Sequence, residues 1–273
     1  MGGSAGGTPV GRGIPLLDTG VADPARVYDY WLGGKDHFAA DRRAAEAGAE
    51  AFPGIGVSVR ANRAFLARTV HFLAEAGIRQ FIDIGAGLPS ADNTHEVAQA
   101  VAPESRVVYV DHDPVVVLHA QALHGGNAAG VTDYVNADLR DPERILQEAA
   151  LPLDLTQPVA VLLFGVLHFI QDDEAPHLIV EALMDALPAG SYLAVSHLAR
   201  DLYPEQVTAL AGAVGEHISI AVTPRGAGEV SRFFHGLELV EPGVVQVSRW
   251  RPRTELEGNA PAVLWGGVAR KPR

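Results

Sequence analysis

Residues 80–90 read Gln80-Phe81-Ile82-Asp83-Ile84-Gly85-Ala86-Gly87-Leu88-Pro89-Ser90. Phe81, Ile82 and Ile84 make a short apolar run of the kind that forms a buried strand. Gly85 and Gly87 permit a sharp turn and leave no side chain between the backbone and anything resting on it. Pro89 suits the first turn of a helix, where a missing N–H costs nothing. A ligand seated on this strand–turn–helix junction meets free backbone N–H groups.

An open, mostly parallel sheet holds nucleotide-type ligands at such a junction, in a Rossmann-like arrangement. A dinucleotide fingerprint needs Gly-x-Gly-x-x-Gly, but Ser90 stands at the third glycine position. Asp83 would repel a pyrophosphate and favours a ligand carrying a cationic amine, as S-adenosylmethionine (SAM) does. The alternative is a tight turn with no ligand.

Outward from this stretch, strands and helices alternate. Strands are expected at Gln80–Ile84, Arg106–Val110, Thr132–Asn136, Val159–Phe164, Ser191–Ser196, Leu237–Val240 and Ala262–Val268. Val159–Phe164 is uniformly apolar, as a central parallel strand should be. Asp113-Pro114 and Asp141-Pro142 are cap-plus-proline helix starts, the first opening a helix expected to reach Leu123. Glu241–Asn259 reads as an irregular excursion. The expected fold is α/β: a seven-stranded, mostly parallel sheet with helices on both faces.

Upstream lie helices. Asp23-Pro24 opens one that runs through Tyr28, Tyr30 and Trp31 and ends at Gly33-Gly34. Two tyrosines and a tryptophan are costly to leave in water. They pack on the domain, or the segment covers a ligand with its aromatic faces or the Gly33-Gly34 backbone against it. Phe38–Ala51 and Val59–Ala76 follow as helices, the second with Phe65, Leu66, Val70 and Leu73 at helical spacing. Arginines here are mostly expected in solvent; Arg63 is the one placed to face the ligand edge. Residues 1–22 are read as a disordered arm and 23–273 as one domain, with a helical cover (23–77) over an α/β core (78–273).

Three acids end three successive strands: Asp83, Asp111 and Asp138. Ligands of open α/β sheets bind along that edge. Asp83 suits a methionine amine, and Asp111 suits the two ribose hydroxyls, a task for a two-oxygen acceptor. Asp138 suits the adenine amino group, with His112 and Leu139 against the ring. Gly85, Ala86 and Gly87 supply the turn, and Phe164, Tyr30, Gly34 and Arg63 complete the candidate cofactor wall. A proton acceptor, if one is needed, is sought at His168 or His197, near the ends of the fourth and fifth strands. A loop-packing role for His168 is the competing reading.

Composition narrows the field. The 273-residue chain carries a formal net charge of -12 and a pI near 5.3, which argues against a nucleic-acid surface. No cysteine is present, so disulfides and thiolate metal sites are excluded. The histidines miss metal-ligand spacings, and no metal is expected. The longest apolar run, Val159–Leu167, is too short to span a membrane, and a cytoplasmic protein is expected. Lys35 and Lys271 are the only lysines, so the Tyr-x-x-x-Lys pair of short-chain reductases is absent. No Gly-x-Ser-x-Gly elbow or His-Glu-x-x-His occurs.

Several stretches stand in a recognisable order. They are Tyr28-Asp29-Tyr30-Trp31-Leu32-Gly33-Gly34-Lys35-Asp36, Arg60-Ala61-Asn62-Arg63-Ala64-Phe65-Leu66, Asp83 to Pro89, and Val110-Asp111-His112-Asp113-Pro114. Ala137-Asp138-Leu139-Arg140-Asp141-Pro142, Leu167-His168-Phe169 and Gly236 to Gly243 follow. Together they resemble a bacterial SAM-dependent methyltransferase family formerly known only as a domain of unknown function. The resemblance runs from Asp23 to the end, and Leu32-Gly33-Gly34-Lys35-Asp36 is its most specific part. His37 and His112 stand where that family more often has asparagine. The resemblance implies a class I methyltransferase fold with an N-terminal helical cover, SAM as cofactor and S-adenosylhomocysteine (SAH) as product. A small-molecule methyl acceptor is expected. Two other functions compete: SAM binding without catalysis, and a nicotinamide-dependent oxidoreductase.

Overall fold

The computed structural model describes residues 18–116 and 130–273. Three helices come first: α1 (Pro24–Leu32), α2 (Ala39–Ala51) and α3 (Ile55–Glu75). Asp23 caps α1 by accepting from the Ala25 N–H at 2.8 Å, and Gly33 closes it at φ +86°, as the sequence leads one to expect. The expected arm of residues 1–22 lies largely outside the described residues, but Ala22 is buried and bridges to Ile218. Residues 22 and 23 are therefore held by the fold.

Five strands follow in parallel: β1 (Gln80–Ile84), β2 (Arg106–Asp111), β3 (Val131–Asn136), β4 (Ala160–Phe164) and β5 (Tyr192–Leu198). The helices between them are α4 (Thr94–Val101), α5 (Pro142–Ala149) and α6 (Pro176–Asp185). A helix also begins at Pro114, and its expected course to Leu123 passes outside the described residues after 116. After β5 come α7 (Pro204–Gly215), α8 (Ala227–Ser231), β6 (Glu238–Leu239), β7 (Val245–Gln246), α9 (Glu255–Gly258) and β8 (Leu264–Arg270).

The sheet order is β3-β2-β1-β4-β5-β8-β6, with β7 also paired to β8. It therefore has eight strands where seven were expected. The extra one, β7, lies inside the stretch read as irregular, and at two residues it is too short to show a period. β8 runs antiparallel to β5. The chain winds from β1 outward to β3, then reverses to β4 and β5. The reversal opens a crevice at the carboxyl ends of β1 and β4.

Side chains alternate across the strands. Phe81, Val107, Tyr109, Ala160, Leu162 and Phe164 pack with α1–α4 and α7 in one apolar cluster. Ile82, Ile84, Val108, Val110, Val161 and Leu163 pack with α5 and α6 in the other. This period puts Asp83 and Asp111 on the face that the N-terminal helices cover.

Arg68 corrects the expectation that arginines of α3 lie in solvent. It is buried, donating from Nε to the Trp250 carbonyl (2.9 Å) and from a guanidinium nitrogen to the Val247 carbonyl (2.7 Å). It also pairs with Glu257. Trp250 is fully buried, edge-on to Phe65 and Phe72. The excursion after β6 is thus bolted to α3. We expect Arg68→Met to orphan these acceptors and lower stability by about 2–4 kcal/mol, read from the urea midpoint. An unchanged midpoint would mean the bolt contributes nothing.

Candidate functional site

One cavity runs along the carboxyl edge of the sheet, beneath α1 and α3. Asp138 (after β3), Asp111 (end of β2), Asp83 (β1), Phe164 (end of β4), Leu198 (end of β5) and Leu264 (start of β8) all line it. Strand order thus lays the acids along its β3–β2–β1 side and aliphatic residues along its β5–β8 side. His112, Leu139, Arg63, His168 and residues 85–87 also reach the wall. Tyr30 and Gly34 stand apart from it. Tyr30 faces α2, its hydroxyl 3.3 Å from Glu46 and its ring edge-on to His37. Gly34 is small for a local reason: a Cβ there would overlap the Asp29 carboxylate.

The glycine turn is pinned from β2. The Gly85 and Ala86 N–H groups donate to the Val110 carbonyl at 2.9 and 3.2 Å. The Gly87 N–H donates to Asp111 Oδ2 at 2.9 Å, and the Asp113 N–H to Asp111 Oδ1 at 3.0 Å. Gly85 sits at φ +73°, and a Cβ would strike Val166 at 2.7 Å. Gly87 sits at φ +64°, where the nearest atom to a Cβ would be Ala25 Cβ at 3.9 Å. Gly85 therefore makes room for protein, and Gly87 is the glycine that leaves space.

Asp83 is 4% exposed, and its Oδ2 accepts from the Thr94 hydroxyl at 2.6 Å. Burial pushes its carboxyl up to about 6, against the pull of Thr94 and Arg63. Burial also raises Asp111, offset in part by its two backbone donors. Asp23, on the same wall, is raised to about 6 by burial and by Asp113. Asp138 is exposed and already accepts from Arg140, from the guanidinium at 3.2 Å and the backbone N–H at 2.9 Å. Arg63 donates to the Ala91 and Asp92 carbonyls. The sheet side of the cavity is therefore rich in carboxylates and short of cations, an environment that favours a cationic ligand.

Residues 165–172 form the wall after β4, and Arg225 holds them. Arg225 is 4% exposed and donates to the Leu167 (3.0 Å) and Ile170 (2.9 Å) carbonyls and to Asp172 Oδ1 (2.6 Å). A guanidinium nitrogen also lies 3.0 Å from His197 Nε2. Because the guanidinium can only donate, Nε2 is the acceptor and the His197 proton sits on Nδ1, facing the Leu198 carbonyl at 2.9 Å. Burial is the main cause that lowers His197 to about 4. With both nitrogens committed and its side chain outside the cavity wall, His197 is removed as a proton acceptor. His168 reaches the cavity with Nδ1 unpartnered. Burial, then His197 and Arg225, hold it well below the usual histidine range, so it is neutral.

Sequence reasoning missed Asn62, Arg140 and Arg225; of the α1 aromatics read as a possible cover, Tyr28 and Trp31 line the cavity and Tyr30 does not. Asn62 is buried and lines the cavity. Its Nδ2 lies 3.1 Å from the Tyr28 hydroxyl, which lies 3.1 Å from the Val59 carbonyl. Arg140 bridges Asp138, Glu174 and the Phe169 carbonyl. Among the described residues no cluster of three or more His, Cys, Asp or Glu side chains is arranged for a metal ion. None of the described helices is long and apolar enough to cross a membrane.

Residues 13–272 match the model of a family described as S-adenosyl methyltransferase. No curated protein matches the chain. Among solved structures, a DUF574 family protein from Streptomyces avermitilis MA-4680 is 45% identical, with a TM-score of 0.90 over 93% of this chain and 99% of its own. A proposed methyltransferase from Thermobifida fusca YX is 42% identical, with a TM-score of 0.88 over 95% and 98%. The plantazolicin methyltransferase BpumL, solved with a desmethyl analogue and SAH, shares the fold at 13% identity, with a TM-score of 0.53 over 91% and 96%.

The buried Asp83 carboxylate has a measurable consequence. Its pKa is higher in the fold (about 6) than its ordinary 3.8, so ionisation costs stability. The cost is absent at low pH, grows as pH rises from about 4 to about 6, and is complete above that. Asp83→Asn should therefore be more stable than the parent at pH 7.5, by up to about 3 kcal/mol. The gap should close as pH falls toward about 4. Urea unfolding across this range checks it; a variant less stable at pH 7.5 contradicts the burial cost.

Proposed function

The chain belongs to the S-adenosyl methyltransferase family, and we propose that it methylates a small molecule held on the β4–β5–β8 side of the edge cavity, with SAM on the β3–β2–β1 side. As a family member it is a SAM-dependent methyltransferase with an α/β fold. One observation carries the placement. Asp83, Asp111 and Asp138 follow one another along the ends of three adjacent strands and open on one cavity at a turn where Gly87 leaves space.

The residues suit that cofactor. It has a cationic amine and sulfonium, two ribose hydroxyls and an adenine. Asp83, raised by burial, gains a counter-charge when a cationic amine lies near it. Each Asp111 oxygen accepts one backbone N–H, which leaves lone pairs on both for two hydroxyls. Asp138 shares its carboxylate with Arg140, and Leu139 offers an apolar contact for a ring. Arg63 supports the turn beyond Ser90 rather than the cofactor directly. When bound, SAM supplies a methyl carbon on a cationic sulfur, which leaves with the bonding electron pair as the acceptor atom attaches.

The chain's part is orientation and exclusion of water. Residues 23–77 and 78–273 both contribute to the wall, so we read them as one functional unit with α1 and α3 as cover. His168 lines the wall as a neutral imidazole whose protonated form is disfavoured by burial and Arg225. That suits hydrogen bonding better than storage of a proton. The net charge of -12 supports a small-molecule acceptor over a nucleic acid.

Asp111 tests the placement. Asp111→Ala removes the acceptor for both hydroxyls and frees the Gly87 and Asp113 N–H groups. Hydrogen bonds to a charged group contribute about 1.5–3 kcal/mol each, so SAH and SAM affinity should fall at least about tenfold, with Asp111→Asn between the two. Calorimetry on variants whose circular dichroism matches the parent measures this. Unchanged affinity for Asp111→Ala would move the cofactor elsewhere.

A further inference from the structure

We propose that the methyl acceptor is an uncharged, largely apolar molecule that presents one hydrogen-bond donor, a hydroxyl or neutral N–H, to the side-chain oxygen of Asn62. The inference rests on the cofactor placement above and adds what occupies the other half of the cavity.

That half is apolar, with the Trp31 ring beside Leu210 and Val214. Leu32 of α1, Val59 of α3, Leu210 and Val214 of α7, Val222, and Val263 beside β8 line it. These come from elements at the β5–β8 end of the sheet or from the cover above it. The one carboxylate that α1 itself contributes to the cavity wall, Asp29, is engaged through Oδ2 by the Asp36 N–H at 3.0 Å and the His37 ring at 3.1 Å. An ionised acceptor would lose its water to these walls, and the cation beside Asn62 in the chain, Arg63, already donates to the Ala91 and Asp92 carbonyls. A cation would also meet the cofactor's own positive charge, with Asp83 already committed to the cofactor amine.

The polar atoms then specify the handle. The Tyr28 hydroxyl has one proton, and the carbonyl of Val59 can only accept it. Tyr28 must therefore accept from Asn62, which turns Nδ2 toward Tyr28. This fixes the amide and leaves Oδ1 facing no donor. Asn62 is 4% exposed, and buried acceptors of this kind are rarely left unpaired. An amide oxygen accepts only, so whatever satisfies it must donate. A carboxylate would set acceptor against acceptor, and a hydrocarbon would leave the orphan in place.

The position is apt. A Cβ on Gly165, directly after β4, would lie 3.7 Å from Asn62 Nδ2 and 3.8 Å from His168 Cε1. The Asn62 amide and the His168 ring thus flank the same bare backbone where the two halves of the cavity meet. His168 Nδ1 is also buried and unpartnered.

The test uses three probes of one shape on the SAH-saturated protein: 2-naphthol, naphthalene and naphthalene-2-carboxylate, with affinity read by fluorescence or calorimetry. The naphthol should bind about 3–10-fold tighter than naphthalene, as one hydrogen bond allows, and the carboxylate most weakly. Asn62→Ala should erase the naphthol advantage. Because that variant also frees Tyr28, Ala211→Phe is the second probe: Ala211 is half-buried on the same wall, and the larger ring should weaken naphthol binding several-fold while SAH affinity holds. SAH titrations on the same samples separate the two readings. Normal SAH binding with the carboxylate tightest, or with all three probes equal, or with the naphthol advantage surviving Asn62→Ala, overturns this inference alone. Loss of SAH binding by the parent overturns the cofactor placement and this inference with it.

Discussion

A carboxylate enclosed under helices is the constraint from which much of this structure follows. Strand periodicity puts Asp83 on the same face as Phe81, and α1 and α3 close over that face. Among the described residues the Thr94 hydroxyl is the donor to its Oδ2. Such a group stays charged at a cost unless something cationic comes to it. The turn that follows is held open by β2, through Asp111 and the Val110 carbonyl. The fold thereby keeps an unfavourable electrostatic arrangement in place, one that a cationic ligand would relieve.

What the residue string reveals here is what is local or periodic. The strand, the two glycines and the proline of residues 80–89 sit next to one another, and three acids recur at three strand ends. Those features could be read without coordinates. The roles of Asn62 and Arg225, and the pairing of Tyr28 with Asn62, could not. Tyr28 and Asn62 are 34 residues apart, and Arg225 reaches residues 53 to 58 positions earlier. No short-range pattern encodes such pairings. The aromatic run of α1 divides: Tyr28 and Trp31 line the cavity, with the Trp31 indole N–H anchored on the Ala45 carbonyl of α2, while Tyr30 turns to Glu46 of α2. Helical periodicity puts side chains on a face, but only the neighbouring helix decides which face meets a cavity.

Arg225 also explains why two histidines close in space differ in availability. Their rings are 5.6 Å apart, and one guanidinium satisfies the inner ring while keeping a positive charge near the outer one. A buried arginine of this sort is expensive unless most of its donors are used. Here they are spent on the backbone of residues 167–170, on Asp172 and on His197, so one side chain ties this wall together and adds to the burial that keeps the imidazoles neutral.

The distance along the chain between partners bears on how the protein is made. Ser58 Oγ accepts from the Val263 N–H across 205 residues, and Arg68 reaches Trp250 across 182. A ribosome releases α3 long before either partner exists. The part of α3 that packs on residues 247–263 must therefore wait uncovered until they emerge, although β1, α4, β2 and β4 cover the rest of its apolar face earlier. Assembly of the cavity is consequently among the last events of biogenesis, and contacts of such long range close slowly. A chain halted short of β8 would hold the glycine turn and all three acids, yet have no finished chamber in which to use them.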